Sequence, residues 1–322
     1  MTRRQDAIDW PFLQSRRNSM TIVAYLVTSH TGPEQVLRLV RTIRTLSPDA
    51  PVLVHHDGVR EPLAPAALER IGGVHRVPDA PVEWGRGSQL AMQLRCLAHA
   101  VERVGFDWLT TISGQDYPAR PLEAVERDLA ATPFDGFVEG HRVDPPAWTR
   151  GPVDEFARRY FLHWRGIREP GRLGRRAIVA ARPLLAVRDL PSGVLLGHRA
   201  RRSPFTPAMP CRRGSDWLTL RRPAAEAVVR AVRDRPGLVA HFARTLMPTE
   251  ALPHTVLHAD PAFTLSGDVR RHTRWEPGTA HPAVLGLADL DAVLASGTDF
   301  ARKFDQRLDP AALAALDRAL GV

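Results

Sequence analysis

TIVAYLVTS (21–29), followed by HTGPEQVLRLVRTIRTL (30–46), decides the fold. The first run is continuously apolar and rich in β-branched side chains, the pattern of a buried strand. The second changes period. Val36, Leu37, Val40, Ile43 and Leu46 fall at helical spacing, with Pro33 in the first turn and Thr31 and Glu34 spaced as a capping box. Working outward, the alternation repeats. PVLVHHD (51–57) reads as a strand, 64–71 as a helix, VHRV (74–77) as a short strand and SQLAMQLRCLAHAVERV (88–104) as a long helix. DWLTTIS (107–113), LEAVERDLAA (122–131) and FDGFVE (134–139) follow as strand, helix and strand. Strands alternating with helices predict an α/β fold: a mostly parallel, Rossmann-type sheet covered by helices on both faces.

In such sheets ligands bind beyond the carboxyl ends of the strands. The residues found there are polar: Thr28, Ser29 and His30; His55, His56 and Asp57; Ser113, Gly114, Gln115 and Asp116; and Glu139. Strand ends are commonly polar, and Ser113 with Asp116 can equally cap the next helix. Residues 142–210 then change character, with RRYFLHWRGIR (158–168) and GRLGRRAIVAARPLLAVR (171–188). This stretch reads as a helical, Arg-rich insertion whose simplest role is a solvated basic face. An acceptor wall, a membrane-surface face and a nucleic-acid patch are the alternatives. Downstream, GSDWLTLRRPAAEAVVRAV (214–232) reads as strand then helix, and MPTEALPHTVLH (247–258) as a short helix starting at Pro248. The tail 281–305 reads as strand, helix and closing turn.

The 322 residues carry a net charge of +9, which favours anionic partners without choosing among nucleic acid, anionic lipid and phosphorylated substrates. The two cysteines, Cys96 and Cys211, suggest neither a metal knuckle nor a disulfide framework. No segment approaches the roughly 20 apolar residues of a membrane span. Residues 1–19 lack an apolar stretch and read as a disordered arm or an over-long start, with 20–322 as one domain. Of the 44 basic residues, a single one, Lys303 in FARKFD (300–305), is lysine. A lone lysine between phenylalanines is explained by chance, or by a site needing a compact point charge rather than a planar fork.

Eight stretches together resemble the core-2/I-branching β-1,6-N-acetylglucosaminyltransferases and their peptide xylosyltransferase relatives. They are AYLVTSH (24–30), VLVHHD (52–57), EWGRGS (83–88), ISGQDYP (112–118), GSDWLTL (214–220), PTEALPHT (248–255), RRHTRW (270–275) and LADLDAVLASGTDFARKFD (287–305). Each alone is weak; the ordered set is specific. The resemblance implies a GT-A-like fold and metal-independent, inverting transfer from a UDP-sugar, the donor being a co-substrate rather than a cofactor. UDP-GlcNAc is the favoured donor and UDP-xylose the second. The metal ligands of most GT-A enzymes, an Asp-x-Asp after a strand, are replaced here by HHD and SGQD. Asp289-Leu290-Asp291 opens a helical pattern, where it serves as a cap. Adjacent His55 and His56 on a strand point to opposite faces and cannot easily share an ion with Asp57.

By position in these motifs, the resemblance implies that Glu250 is the catalytic base and Lys303 a diphosphate ligand. The family's second cation has no counterpart near His281-Pro282, so Arg271 is the substitute, with Arg274 and Arg302 behind it. Thr28, His30, Asp57, Trp84 and Asp116 are placed at the nucleotide, and Glu139 and Trp217 at the acceptor. The expected partners are a UDP-sugar and a carbohydrate or glycan-precursor acceptor. A cytoplasmic location is expected, with peripheral contact at the inner membrane face as an extension of it. Nucleic acid is disfavoured, because no recognised nucleic-acid motif accompanies the charge.

Overall fold

The computed structural model describes residues 21–146, 154–168, 171–181, 185–190, 193–279 and 281–322. The arm expected at 1–19 lies outside them. The first half comprises β1 (Val23–Ser29), α1 (Pro33–Leu46), β2 (Val52–His56), α2 (Pro65–Glu69), β3 (Val74–Arg76), α3 (Gly87–Arg103), β4 (Trp108–Ser113), β5 (Asp116–Pro118), α4 (Leu122–Ala131) and β6 (Gly136–Phe137). The middle holds β7 (His141–Arg142), α5 (Glu155–Phe161), β8 (Leu162–Arg168), α6 (Arg172–Ala181), β9 (Ala186–Leu190), β10 (Gly193–Arg199) and β11 (Arg212–Arg213). The last part runs β12 (Thr219–Arg221), α7 (Arg222–Asp234), α8 (Pro236–Phe242), α9 (Leu252–His258), β13 (Leu265–Ser266), β14 (Arg271–Thr273), α10 (Leu290–Ala295), β15 (Phe300–Arg302) and α11 (Pro310–Leu320).

A seven-stranded sheet in the order β13-β6-β12-β4-β1-β2-β3 forms the centre. β1 pairs in parallel with β2 and β4, and β2 with β3, while β12 runs antiparallel to both β4 and β6. Successive strand residues face opposite sides, so one strand feeds two cores. Val23, Tyr25 and Val27 join Val36 and Val40 of α1, Val125 of α4 and Leu313 of α11. Ala24 and Leu26 join Leu90 and Leu97 of α3, Val228 of α7 and Leu252 of α9. That two-sided burial is why 21–29 carries no polar alternation. Cys96 and Cys211 are buried, and burial pushes the Cys96 thiol up to about 12.

Four expectations are corrected. The insertion is not simply helical: β8, β10 and β9 form an antiparallel sheet, with α5 leading into β8 and α6 connecting β8 to β9. The pairing of Leu162 with Arg199, far apart in the chain, overrides any local helical preference. The aromatics of RRYFLHWRGIR do not decorate a basic face, since Tyr160, Phe161 and Trp164 are buried. In the tail, 281–286 is not a strand, and the expected closing turn contains β15, which pairs with β14 and β5. Its Phe300 and Ala301 are fully buried, so core packing sets its conformation. At α1 the capping box does not form. Gly32, at φ 61°, is the cap residue, and its N–H donates to Glu61 Oε2 at 2.7 Å.

Candidate active site

Parallel register brings the polar strand ends into one row. Thr28 stands beside His55 and Ser113, and Ser29 beside His56. The pairing continues past the strands, with Asp57 N donating to Ser29 O at 2.8 Å and Gly114 N to Thr28 O at 3.0 Å. The Asp57 carboxylate accepts from Val82 N at 2.8 Å and Val59 N at 3.2 Å, so it anchors the segment that enters EWGRGS. Thr28 Oγ1 lies 3.5 Å from Ile112 O, and His30 is exposed on the rim. His56 is held between Ser29 Oγ (2.8 Å) and Glu61 O (2.5 Å). A recess of about 140 Å³ adjoins this row at the start of α1, lined by residues including Gln35, Gly114, Gln115 and Asp305. Glu250 lies outside it, so the recess belongs to the strand-end rim rather than to the base.

Glu250 ends the 3₁₀ turn Pro248–Glu250 that leads into α9. Met247, the residue before that turn, has φ 50°, an uncommon left-handed conformation for a side chain of this size. It is clamped by Met247 N donating to Gly85 O at 2.9 Å, while Glu250 O accepts from Gly214 N at 2.9 Å. The EWGRGS and GSDW loops thus fix the turn from two sides. The Glu250 carboxyl is raised to about 7, first by burial and then by the neighbouring Asp216; Arg159 and Arg213 oppose the rise. Arg159 Nη1 stands 3.5 Å from Glu250 Oε2. Asp216 is itself pushed above its ordinary value by burial, against Thr249, Arg302 and Gln89. A carboxylate balanced near neutrality beside a second acid suits proton transfer.

The cations are arranged unequally. Arg302 Nε lies 2.9 Å from Asp116 Oδ1 as an ion pair without hydrogen-bond alignment, and its guanidinium stacks 4.3 Å over the Trp217 ring. Asp116 is fully buried and also accepts from Ser113 N, so it orients Arg302 and the strand end rather than facing a ligand. Arg271 is buried at 7% exposure, and its Nη2 donates to Thr111 O at 3.0 Å. Burial lowers its pKa, and it stacks over Phe300. Arg274 pairs with Asp289, whose other oxygen accepts from Gly286 N at 2.8 Å, so the Asp-x-Asp acts as a cap. Lys303 is half-buried directly after β15. Among the described residues its ammonium has no hydrogen-bond or ion-pair partner, and its carbonyl accepts from Leu285 N at 2.8 Å.

Glu139 lies near enough for its charge to raise Glu250 further, with its Oε1 3.3 Å from His141 Nε2. Trp84 is 63% exposed and packs edge-on against His281 at 5.6 Å, the place where the expected second cation was missing. The structure therefore gathers Glu250, Asp216, Arg302, Asp116 and Trp217 into one connected cluster. Thr28, His30 and Asp57 sit along the rim, and Arg271 is placed in the core. Asp216, Arg159, Arg213, Gln89 and His254 were not singled out from sequence. Gln89 accepts from Gly85 N at 2.6 Å and lies 3.4 Å from Asp216. His254 sits between Glu139 O (2.7 Å) and Ser215 O (2.9 Å), welding the acceptor side to the GSDW loop. GSDW and PTEALPHT contain two of these residues, so that signal was present. Among the described residues no group of three His, Cys, Asp or Glu is placed to hold a metal ion.

The family model described as Core-2/I-Branching enzyme matches residues 23–294. "Xylosyltransferase oxt" of Drosophila melanogaster is 26% identical over 200 residues, covering 60% of this chain and 19% of that protein. "Beta-glucuronosyltransferase GlcAT14B" of Arabidopsis thaliana is 24% identical over 330 residues, covering 92% of this chain and 66% of that protein. The chain thus spans about a fifth of the first relative and about two thirds of the second. Among solved structures, the bifunctional glycosyltransferase WbbM aligns over 88% of this chain and 45% of its own, at 6% identity and a TM-score of 0.38.

Proposed function

The chain belongs to the Core-2/I-branching enzyme family, and from that premise we propose that it is a metal-independent inverting glycosyltransferase using a UDP-sugar. The observation that carries this reading is Glu250, a mostly buried carboxyl raised to about 7 and fixed by the GSDW and EWGRGS loops. Ionised Glu250 takes the proton of an acceptor hydroxyl as its oxygen attacks the anomeric carbon. The bond to the nucleotide diphosphate breaks, and its negative charge needs a cation. Lys303, a half-buried residue whose ammonium has no hydrogen bond or ion pair among the described residues, supplies it; Arg302 stands next in the chain, oriented by Asp116. Thr28, His30 and Asp57 on the rim hold the nucleotide. GlcNAc in β-1,6 linkage is the first donor and linkage to assay, and xylose the second, the latter supported by the xylosyltransferase relative.

The test is calorimetric titration of UDP in EDTA against wild type and Lys303→Ala. Binding without metal, weakened by about 1.5–3 kcal/mol in the variant, is expected for a charged hydrogen bond. Binding restored only by manganese would overturn metal independence. No UDP binding under either condition would overturn the nucleotide-sugar reading itself. No helix among the described residues is long and apolar enough to cross a membrane.

A further inference from the structure

Two guanidinium groups share one aromatic ring beside the candidate base. The guanidinium carbons of Arg159 and Arg213 lie 5.1 and 3.5 Å from the centroid of Phe156. Arg159 and Phe156 come from α5 of the insertion; Arg213 ends β11, three residues ahead of Asp216. Both cations act on the Glu250 carboxyl, Arg159 from 3.5 Å. Three other charges nearby have partners. Arg302 faces Asp116 at 2.9 Å, Glu139 faces His141 at 3.3 Å, and Arg159 has Glu155 at 3.5 Å besides Glu250. Arg213, a half-buried residue, is different: among the described residues no hydrogen bond or ion pair engages its guanidinium, which stacks on Phe156 and acts on Glu250 only through its charge. A guanidinium carries five donors in a planar fork matched to carboxylate and phosphate, and withdrawing it from water without an anion is costly.

Resting on the glycosyltransferase reading, we propose that the acceptor carries an anionic group, a carboxylate or a phosphate, which docks on Arg213 and Arg159 over Phe156 close to the hydroxyl that Glu250 deprotonates. The insertion then serves as the acceptor wall. It brings Phe156 and Arg159 to a site whose base and nucleotide rim come from elsewhere in the chain, and variable segments on a fixed scaffold commonly set specificity.

The test is binding of three probes to protein saturated with UDP, so that the diphosphate site is filled: methyl β-glucuronide, glucose 6-phosphate and neutral methyl β-glucoside. At least one anionic probe is expected to bind about tenfold or more tightly than the glucoside, as charge-assisted bonds exceed neutral ones. Which anion wins separates carboxylate from phosphate acceptors. That preference is expected to vanish in Arg213→Met and to persist largely in Arg213→Lys, with UDP affinity reporting that each variant is folded. Equal binding of all three probes by wild type, or absence of binding by all three, overturns the inference, as does a preference that survives in Arg213→Met. Failure of UDP itself to bind marks failure of the glycosyltransferase reading instead, so the two are distinguishable.

Discussion

At the scale of the residue, Glu250 makes the sharpest prediction. A base raised to about 7 must be ionised to act, so kcat/KM rises with pH through a limb near 7 and is flat above it. Asp216 is the largest charge holding that value up, so Asp216→Asn moves the limb to lower pH; an unmoved limb would detach the two carboxyls. Glu250→Gln removes the base and is expected to lower kcat by about 10²–10⁴-fold while UDP binding persists. The same shift has a stability sign. The ordinary value is 4.5, so between 4.5 and about 7 the folded state holds a proton that the unfolded state releases. Stability attributable to this group is therefore present below 4.5 and lost as pH rises through that window. Thermal unfolding should show Glu250→Gln gaining on wild type as pH rises from 5 to about 8, the mark of an acid held in a costly place for function.

At the scale of the element, the site depends on two loops that pin a short turn. A Cβ at Gly214 would lie 2.4 Å from the His254 ring and 2.7 Å from Glu139 Cβ. His254 cannot yield, because both ring nitrogens are within 2.9 Å of backbone carbonyls. Gly214→Ala is expected to cost about 1–3 kcal/mol of overpacking and to lower kcat, since Gly214 N also holds the Glu250 carbonyl. Denaturant unfolding beside a rate assay checks both; a variant with unchanged stability and rate would show the loop to be slack. Much of this level was legible beforehand. The β1–α1 unit and the strand–helix reading of GSDWLTLRRPAAEAVVRAV stand, while the helix expected from Pro248 opens as a 3₁₀ turn and becomes α-helical only at Leu252. β8 and β15 were missed because their residues are held by partners distant in the chain, which local periodicity does not contain.

At the scale of the whole molecule, a buried charge cluster ties the C-terminal sheet to α4. Asp299, at 1% exposure, accepts from Arg120 at 2.7 Å and from Arg270 at 2.5 Å, and Arg120 also meets Asp128 of α4 at 2.6 Å. β15 begins at the next residue and ends immediately before Lys303. Asp299→Ala leaves two arginines partly buried without their shared anion, and is expected to cost about 3–5 kcal/mol. Lower stability together with weaker UDP binding would confirm that the cluster sets the Lys303 strand; lost stability with unchanged UDP affinity would separate the two.

The sequence by itself determined the alternation of strand and helix, the two-sided burial of 21–29, the polar rim, and Glu250 and Lys303 as the residues to watch. These follow from local period and from motif order, which the linear chain carries in full. Tertiary structure alone decided what each charge does. Arg271, Arg274 and Arg302 are three arginines on paper; folding buries one against the Thr111 carbonyl, sets one against Asp289 and one over Trp217 beside Asp116. It alone brought Arg159 from the insertion to Glu250, and left the Arg213 guanidinium without a hydrogen bond or ion pair among the described residues. Burial and pairing between residues far apart in sequence set a group's protonation and reach, and these come into being only when the chain closes on itself.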